Sequence, residues 1–250
     1  MEKFSKTLKF LMTLLIFYIF SMVIAIVLIC ILFEDPRKYT FLLVILSYLI
    51  TFTLLFYFSK QFKILINKHA FKKISLKNIY YISLFGLGFN IIISVFIFFL
   101  DRIFPNYTEI SNQNFSMINL IYGIILIPIC EEIFFRGIIF NFLKKNYSLT
   151  ISIILQALFF GIAHGTIVQG IYTFIGGITL ALAFLYSDSI LGSILLHIMF
   201  NLCGLVVIPK LLFIHGTVNY LLLGIGIIIF IFSSFQIVCD VKLEKKHNLT

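Results

Sequence analysis

Long apolar runs alternate with short polar segments along most of the chain. A helix needs about 20 apolar residues to span the ~30 Å hydrocarbon core of a bilayer, because lipid cannot satisfy backbone N–H and C=O groups. The pattern therefore predicts an all-α fold, a polytopic membrane helical bundle with about eight transmembrane helices. The predicted helices are 10–33, 41–58, 79–100, 115–143, 149–168, 171–186, 190–208 and 218–238. The count falls to seven if the short run 171–186 does not span.

Composition supports a membrane protein and excludes several other classes. Hydrophobic residues make up 61% of the 250 residues and charged residues 12%, against roughly 25% charged residues in soluble domains. Such a chain cannot cover a water-facing surface, which excludes a soluble enzyme and a nucleic-acid-binding module. No internal repeat or linker interrupts the pattern, so we expect a single integral membrane domain over 1–250.

The placement of the basic residues explains the formal net charge of +9. If the N-terminus is cytoplasmic, fourteen lysines fall on the inner side of the membrane. The outer side receives only Arg37, Lys38, Arg102 and Lys210. This bias predicts a multi-pass cell-membrane protein with an even number of spans and with both the N- and the C-terminus in the cytoplasm. The lipid bilayer, and no nucleic acid, is therefore the expected partner of the basic loops.

Few ionisable residues lie within the predicted helices, and each is a functional candidate because a charge in lipid is costly. Together with one polar amide, the candidates are Glu131, Glu132, Arg136, His164, His197 and Asn201. Glu132 and Arg136 are four residues apart, so they share a helical face and can form an ion pair. Glu131 points about 100° away from Glu132 and has no cation at helical spacing. We therefore expect Glu131 to be reactive; the alternative is a structural cluster in which both carboxylates serve Arg136.

Predicted depth in the membrane favours one shared site for the polar candidates. His164 lies in a GxxxG motif and His197 is four residues before Asn201, so either histidine alone has a packing interpretation. Measured from the cytoplasmic ends of the helices, Glu131 and these three residues lie about 10 to 22 Å deep. A carboxylate, two imidazoles and an amide suit water-mediated peptide hydrolysis, because they supply a base, a proton shuttle and oxyanion donors.

The order and spacing of these residues resemble a known family, the CAAX protease and bacteriocin-processing (CPBP, or Abi) family. Its three core motifs correspond to Glu131-Glu132-x-x-x-Arg136, Phe160-x-x-x-His164 and His197-x-x-x-Asn201. The resemblance covers about 115–208, which we predict to be a CPBP-like catalytic core. It implies an eight-helix intramembrane endopeptidase that acts on a peptide or membrane-protein substrate.

The resemblance also implies a role for each residue. In this family the first glutamate activates water, the histidine of the second motif assists it, and the histidine and asparagine of the third stabilise the oxyanion. The expected catalytic residues are Glu131, His164, His197 and Asn201, with structural support from Glu132 and Arg136. No cofactor is expected, because no HExxH motif is present and the family's better-supported mechanism is metal-free. A zinc site made of Glu131, His164 and His197 is the alternative.

Three functions are compatible with these residues, and peptide hydrolysis is the preferred one. In a bacterium we expect processing of bacteriocin leaders or peptide pheromones, or self-immunity to bacteriocins. The second is a non-catalytic bacteriocin-immunity or scaffold membrane protein. The third is a proton- or ion-coupled transporter with Glu131 and the histidines as a relay, which the lack of inverted repeats disfavours. Ser193 is rejected as a nucleophile, because no GxSxG motif surrounds it.

Overall fold

The computed structural model describes residues 2–58, 68–103, 116–164, 166–207 and 216–247. All regular structure in these ranges is helical, and none of it is a strand. Among the described residues, six helices are long and apolar enough to cross a membrane, and two shorter apolar helices accompany them. The predicted helical membrane bundle is therefore confirmed. The number of spans and the cytoplasmic termini stay predictions.

Each of the eight predicted apolar runs corresponds to one helix. In chain order they are α1 (Glu2–Leu32), α2 (Thr40–Phe58), α3 (Leu76–Ile103), α4 (Met117–Asn146), α5 (Leu149–Ile162), α6 (Ile167–Ser187), α7 (Ile190–Leu202) and α8 (Gly216–His247). Short 3-10 helices at Pro36–Tyr39 and Lys68–Phe71 precede α2 and α3. A π-helical segment, Cys203–Val207, continues α7.

The chain folds into two compact units. The first comprises Met1–Ala70 and Ser116–Ile178, and the second comprises Phe71–Phe115 and Thr179–Thr250. The boundary at Ile178 falls within α6, so this helix contributes residues to both units. The assignment of 1–250 to one membrane domain, with a catalytic core at 115–208, stays a prediction.

In the first unit, α1 packs against α2, and α2 packs against the part of α4 that carries the two glutamates. Ser21 of α1 and Ser47 and Thr51 of α2 are buried, and each hydroxyl donates to the carbonyl four residues earlier in its own helix. Small side chains that satisfy their own polar groups allow helices to approach closely in lipid. The Tyr147 hydroxyl also donates to Thr7 Oγ1 at 2.9 Å, which ties the start of α1 to the end of α4.

In the second unit, α3 packs against α7 and α8. A Cβ atom at Gly88 would lie 2.6 Å from the backbone nitrogen of Phe230, so this crossing of α3 and α8 requires glycine. An ion pair between Lys77 Nζ and Asp240 Oδ1 (2.6 Å) joins the same two helices. The Tyr186 hydroxyl donates to the other carboxylate oxygen of Asp240 at 2.9 Å. These contacts hold α8 against α3 and join it to the end of α6.

Candidate active site

The two adjacent glutamates lie between two π-helical segments of α4. Glu131 and Glu132 end the α-helical stretch Ile127–Glu132, with π-helix at Tyr122–Leu126 before it and at Ile133–Phe140 after it. Pro128 lacks the N–H that a regular helix would use at this point, and the wider π turn lies directly before it. Segments of this type are frequent at functional sites, because the wider turn changes the direction of the side chains that follow.

Glu132 and Arg136 form a fully buried ion pair. Arg136 Nη1 donates to Glu132 Oε1 at 2.7 Å, and both side chains are 0% exposed. The guanidinium also lies 4.6 Å from the centre of the Phe160 ring, so an aromatic face covers the charge. The pairing follows directly from the i, i+4 spacing in the sequence, and its structural role stays a prediction.

Gln156 extends this pair into a network that the sequence analysis missed. The Gly177 carbonyl accepts from Arg136 Nη2 at 3.2 Å and from Gln156 Nε2 at 2.9 Å, and Gln156 is fully buried. One carbonyl of α6 therefore joins side chains of α4 and α5. The signal that could have indicated this network is an amide within the apolar run 149–162, two turns before His164.

Glycines allow α5 and α6 to come close enough for these hydrogen bonds. A Cβ atom at Gly177 would lie 2.9 Å from Ala157 Cα, and one at Gly161 would lie 2.7 Å from the Gly170 carbonyl oxygen. Gly161 is the first glycine of the GxxxG motif, and the second, Gly165, lies outside the described residues. Gly161 therefore packs against another helix, α6, as the motif predicts.

His164 lies in a turn after α5, whereas the sequence analysis placed it within a helix over 149–168. Its backbone N–H donates to the Gly161 carbonyl at 3.2 Å, which is a turn contact rather than an α-helical one. Its Nδ1 is 2.7 Å from the Phe160 carbonyl oxygen. Since a carbonyl only accepts, Nδ1 carries the hydrogen, and in the neutral ring Nε2 is then the acceptor. His164 is partly exposed, so Nε2 is suited to receiving a proton.

Glu131 has different surroundings from its neighbour. Its side chain is partly exposed, whereas that of Glu132 is fully buried against Arg136. The charge of Glu131 acts on Arg136 and on the phenol groups of Tyr18 and Tyr48. The two glutamates therefore differ in how far their side chains are exposed.

The second unit carries the third motif on α7. His197 is 5% exposed, and Asn201 follows one turn later with a partly exposed side chain. The buried Asn90 of α3 donates from Nδ2 to the Phe200 carbonyl at 2.8 Å, directly before Asn201. Asn90 is not among the residues predicted from the sequence, and the signal that could have indicated it is a lone amide within the apolar run 79–100. Ser193 donates to the Ile190 carbonyl at 3.0 Å within its own helix, as a packing serine does.

The predicted site residues are divided between the two units. Glu131, Glu132, Arg136 and His164 belong to the first unit, and His197 and Asn201 belong to the second. The joint action of all four catalytic candidates stays a prediction. In the part of the chain that the structure describes, no group of three or more His, Cys, Asp or Glu side chains is arranged to hold a metal ion.

Comparison with known protein families gives a match over the predicted catalytic core. Residues 113–203 match the family model of the Rce1-like proteins, described as type II CAAX prenyl endopeptidases. This range contains all three motifs, from Glu131 to Asn201. Neither the curated proteins nor the solved structures gave a match. The segment 113–203 of this chain is therefore similar to the Rce1-like proteins, in agreement with the resemblance to the CAAX protease and bacteriocin-processing family.

Proposed function

We propose that this protein is an intramembrane endopeptidase that hydrolyses a peptide or a membrane-anchored substrate with a water molecule activated by Glu131. The Rce1-like match over 113–203 carries the proposal, because it contains the residues of all three motifs. The helical membrane fold supports it, since six helices in the part of the chain that the structure describes have the length and composition to cross a bilayer. We therefore expect the protein to bind its substrate within the membrane or at the membrane surface.

Glu131 is the proposed general base. A base that takes a proton from water needs access to that water, and Glu131 is partly exposed while Glu132 is buried in its ion pair. In the first step, water attacks the carbonyl carbon of the scissile bond and Glu131 takes its proton. His164 assists through Nε2, the ring nitrogen left as acceptor by the contact of Nδ1 with Phe160.

His197 and Asn201 are the proposed donors to the oxyanion. An imidazole N–H and an amide NH₂ can each donate to the negative oxygen of the tetrahedral intermediate. Asn90 holds the backbone next to Asn201, which limits the movement of this donor. In the second step, the intermediate collapses, the C–N bond breaks and the proton held by Glu131 passes to the leaving nitrogen.

We propose that this hydrolysis needs no metal ion, and a chelator tests this part. EDTA or 1,10-phenanthroline is expected to leave the cleavage rate of the purified protein unchanged, because Glu131 rather than a metal ion activates the water. The measurement is product formation during a chelator titration, followed by addition of zinc. Loss of cleavage that zinc restores would contradict this mechanism and favour Glu131, His164 and His197 as ligands.

Mass spectrometry of membrane peptides tests the proposed function without a preselected substrate. Cells that express the wild-type protein are compared with cells that express the Glu131→Gln variant at the same level. Peptides with new termini are expected only in the wild-type sample, and they include the processed bacteriocin or pheromone precursors that we propose as substrates. The same set of peptides in both samples would overturn the proposal.

A further inference from the structure

Two tyrosines, one from each of the first two helices, form an aromatic cluster with a phenylalanine that lies shortly after Glu131 on α4. The ring centroids of Tyr18 (α1) and Tyr48 (α2) are 5.4 Å apart. Both rings contact Phe134, three residues after Glu131, at centroid distances of 6.1 Å and 5.7 Å. We call Tyr18 and Tyr48 the tyrosine pair. It comes from parts of the chain that lie outside the Rce1-like match.

The tyrosine pair includes a hydroxyl group in a buried position, that of Tyr48. Tyr48 is only 5% exposed, and a buried hydroxyl without a hydrogen-bond partner is costly. The two hydroxyl groups interact with each other, which leaves further donor and acceptor capacity on the pair. The charged groups that act on Tyr48 are Glu131 and, when ionised, Tyr18 and Cys130. Of these groups, Glu131 is the one that acts on both tyrosines.

We propose that Tyr18 and Tyr48 are positioning residues for Glu131, with the phenol pair directing an O–H donor toward the carboxylate. This inference rests on the proposed function of Glu131 as the general base. A carboxylate in an apolar, aromatic environment is stabilised and oriented by a donor of this kind. The pair would therefore fix the direction of the oxygen that takes the proton from water. It would also give α1 and α2 a part in a site whose motifs all lie further along the chain.

An infrared measurement tests the contact without any substrate. The carboxyl band of Glu131 is assigned in protein reconstituted into phosphatidylcholine vesicles as the band that the Glu131→Gln variant lacks. Tyr48→Phe and Tyr18→Phe keep the rings and their packing but remove the hydroxyl groups, so each is expected to shift this band. Tyr147→Phe is the matched control, because its hydroxyl binds Thr7 in the same unit. A band that stays in place in Tyr48→Phe would overturn the inference.

Kinetics test the positioning role, with a substrate peptide found by the mass spectrometry above. Tyr48→Phe is expected to lower kcat by about 10- to 100-fold, the effect of losing one hydrogen bond to a charged group. KM and thermal stability are expected to stay near the wild-type values, whereas a merely structural role would alter stability and leave the infrared band unmoved. The Tyr18→Phe/Tyr48→Phe double variant should lose little more than Tyr48→Phe alone, since the pair acts as a unit.

The outcomes separate the inference from the proposed function. Wild-type protein that cleaves no peptide would overturn the proposed function, and the infrared band would still decide whether the pair contacts Glu131. Wild-type cleavage that is lost in Glu131→Gln but unchanged in Tyr48→Phe would overturn the inference alone. Equal loss of kcat in Tyr48→Phe and in the Tyr147→Phe control would also overturn it, because the effect would not depend on proximity to Glu131.

Discussion

Replacing Glu131 with glutamine is expected to abolish peptide cleavage. Glutamine has nearly the same shape as glutamate, but its amide cannot take a proton from water. Loss of a general base lowers the rate by about 10²- to 10⁴-fold. Because Glu131 is partly exposed and its neighbour Glu132 forms the ion pair with Arg136, the substitution should leave the fold intact. The measurement is kcat of the purified variant in lipid vesicles, with the substrate peptide found by mass spectrometry.

A matched control separates the loss of this carboxylate from a general loss of negative charge. Glu34 is an exposed glutamate in the same unit, and Glu34→Gln is expected to cleave at the wild-type rate. Both variants should insert into membranes and unfold at the same temperature as the wild type. Full cleavage by Glu131→Gln would contradict the proposed mechanism. Bacteriocin protection that survives in this variant would favour the non-catalytic immunity function instead.

Hydropathy predicted the helices well, because the length of an apolar run reflects the thickness of the hydrocarbon core. Helix ends were predicted less well. The first run was placed at 10–33 and α1 begins at Glu2, while the last was placed at 218–238 and α8 continues to His247. Lysine and glutamate, which occur at both of these ends, are good helix formers, so a helix continues beyond its apolar part. The length of an apolar run therefore predicts the part of a helix that fits in lipid, but it does not predict where the whole helix begins and ends.

The local part of the candidate site was predictable, and the long-range part was not. The pair of Glu132 and Arg136 follows from spacing alone, since both residues lie on one helical face. The contact between Gln156 and the Gly177 carbonyl joins residues 21 positions apart, and that between Asn90 and Phe200 joins residues 110 positions apart. Such contacts depend on which helices pack together, and a single amide in an apolar run does not indicate its partner.

The π-helical segments around Glu131 show another limit of pattern reading. A π segment changes which side chains share a face, but it changes neither hydropathy nor composition. Pro128 cannot donate a backbone hydrogen bond in the helix, but its presence does not specify the position of the wide turn, which the structure shows at Tyr122–Leu126. Hydropathy also did not show that α5 ends before His164. Apolar residues lie on both sides of the turn that contains His164, so the run 149–168 read as one helix.

Replacing Arg136 with methionine is expected to destabilise the protein strongly. The substitution leaves the Glu132 carboxylate buried without its cation, and breaking a buried ion pair in this way costs about 3–5 kcal/mol. It also removes the hydrogen bond from Arg136 to the Gly177 carbonyl, which joins α4 to α6, and leaves only the bond from Gln156 of α5 to this carbonyl. The measurement is the free energy of unfolding in detergent. An Arg136→Met variant as stable as the wild type would contradict the structural role of the pair.

Two further variants show whether the effect comes from the unpaired charge. Lys38→Met breaks an exposed pair with Asp35 (3.4 Å), and it is expected to change stability very little because water screens both charges. In the Glu132→Leu/Arg136→Met double variant no charge is left unpaired, so most of the lost stability should return. If the double variant also cleaves its substrate, the ion pair supports the fold and Glu131 is the glutamate that carries out the chemistry. A folded double variant without cleavage would instead give Glu132 or Arg136 a direct part in the reaction.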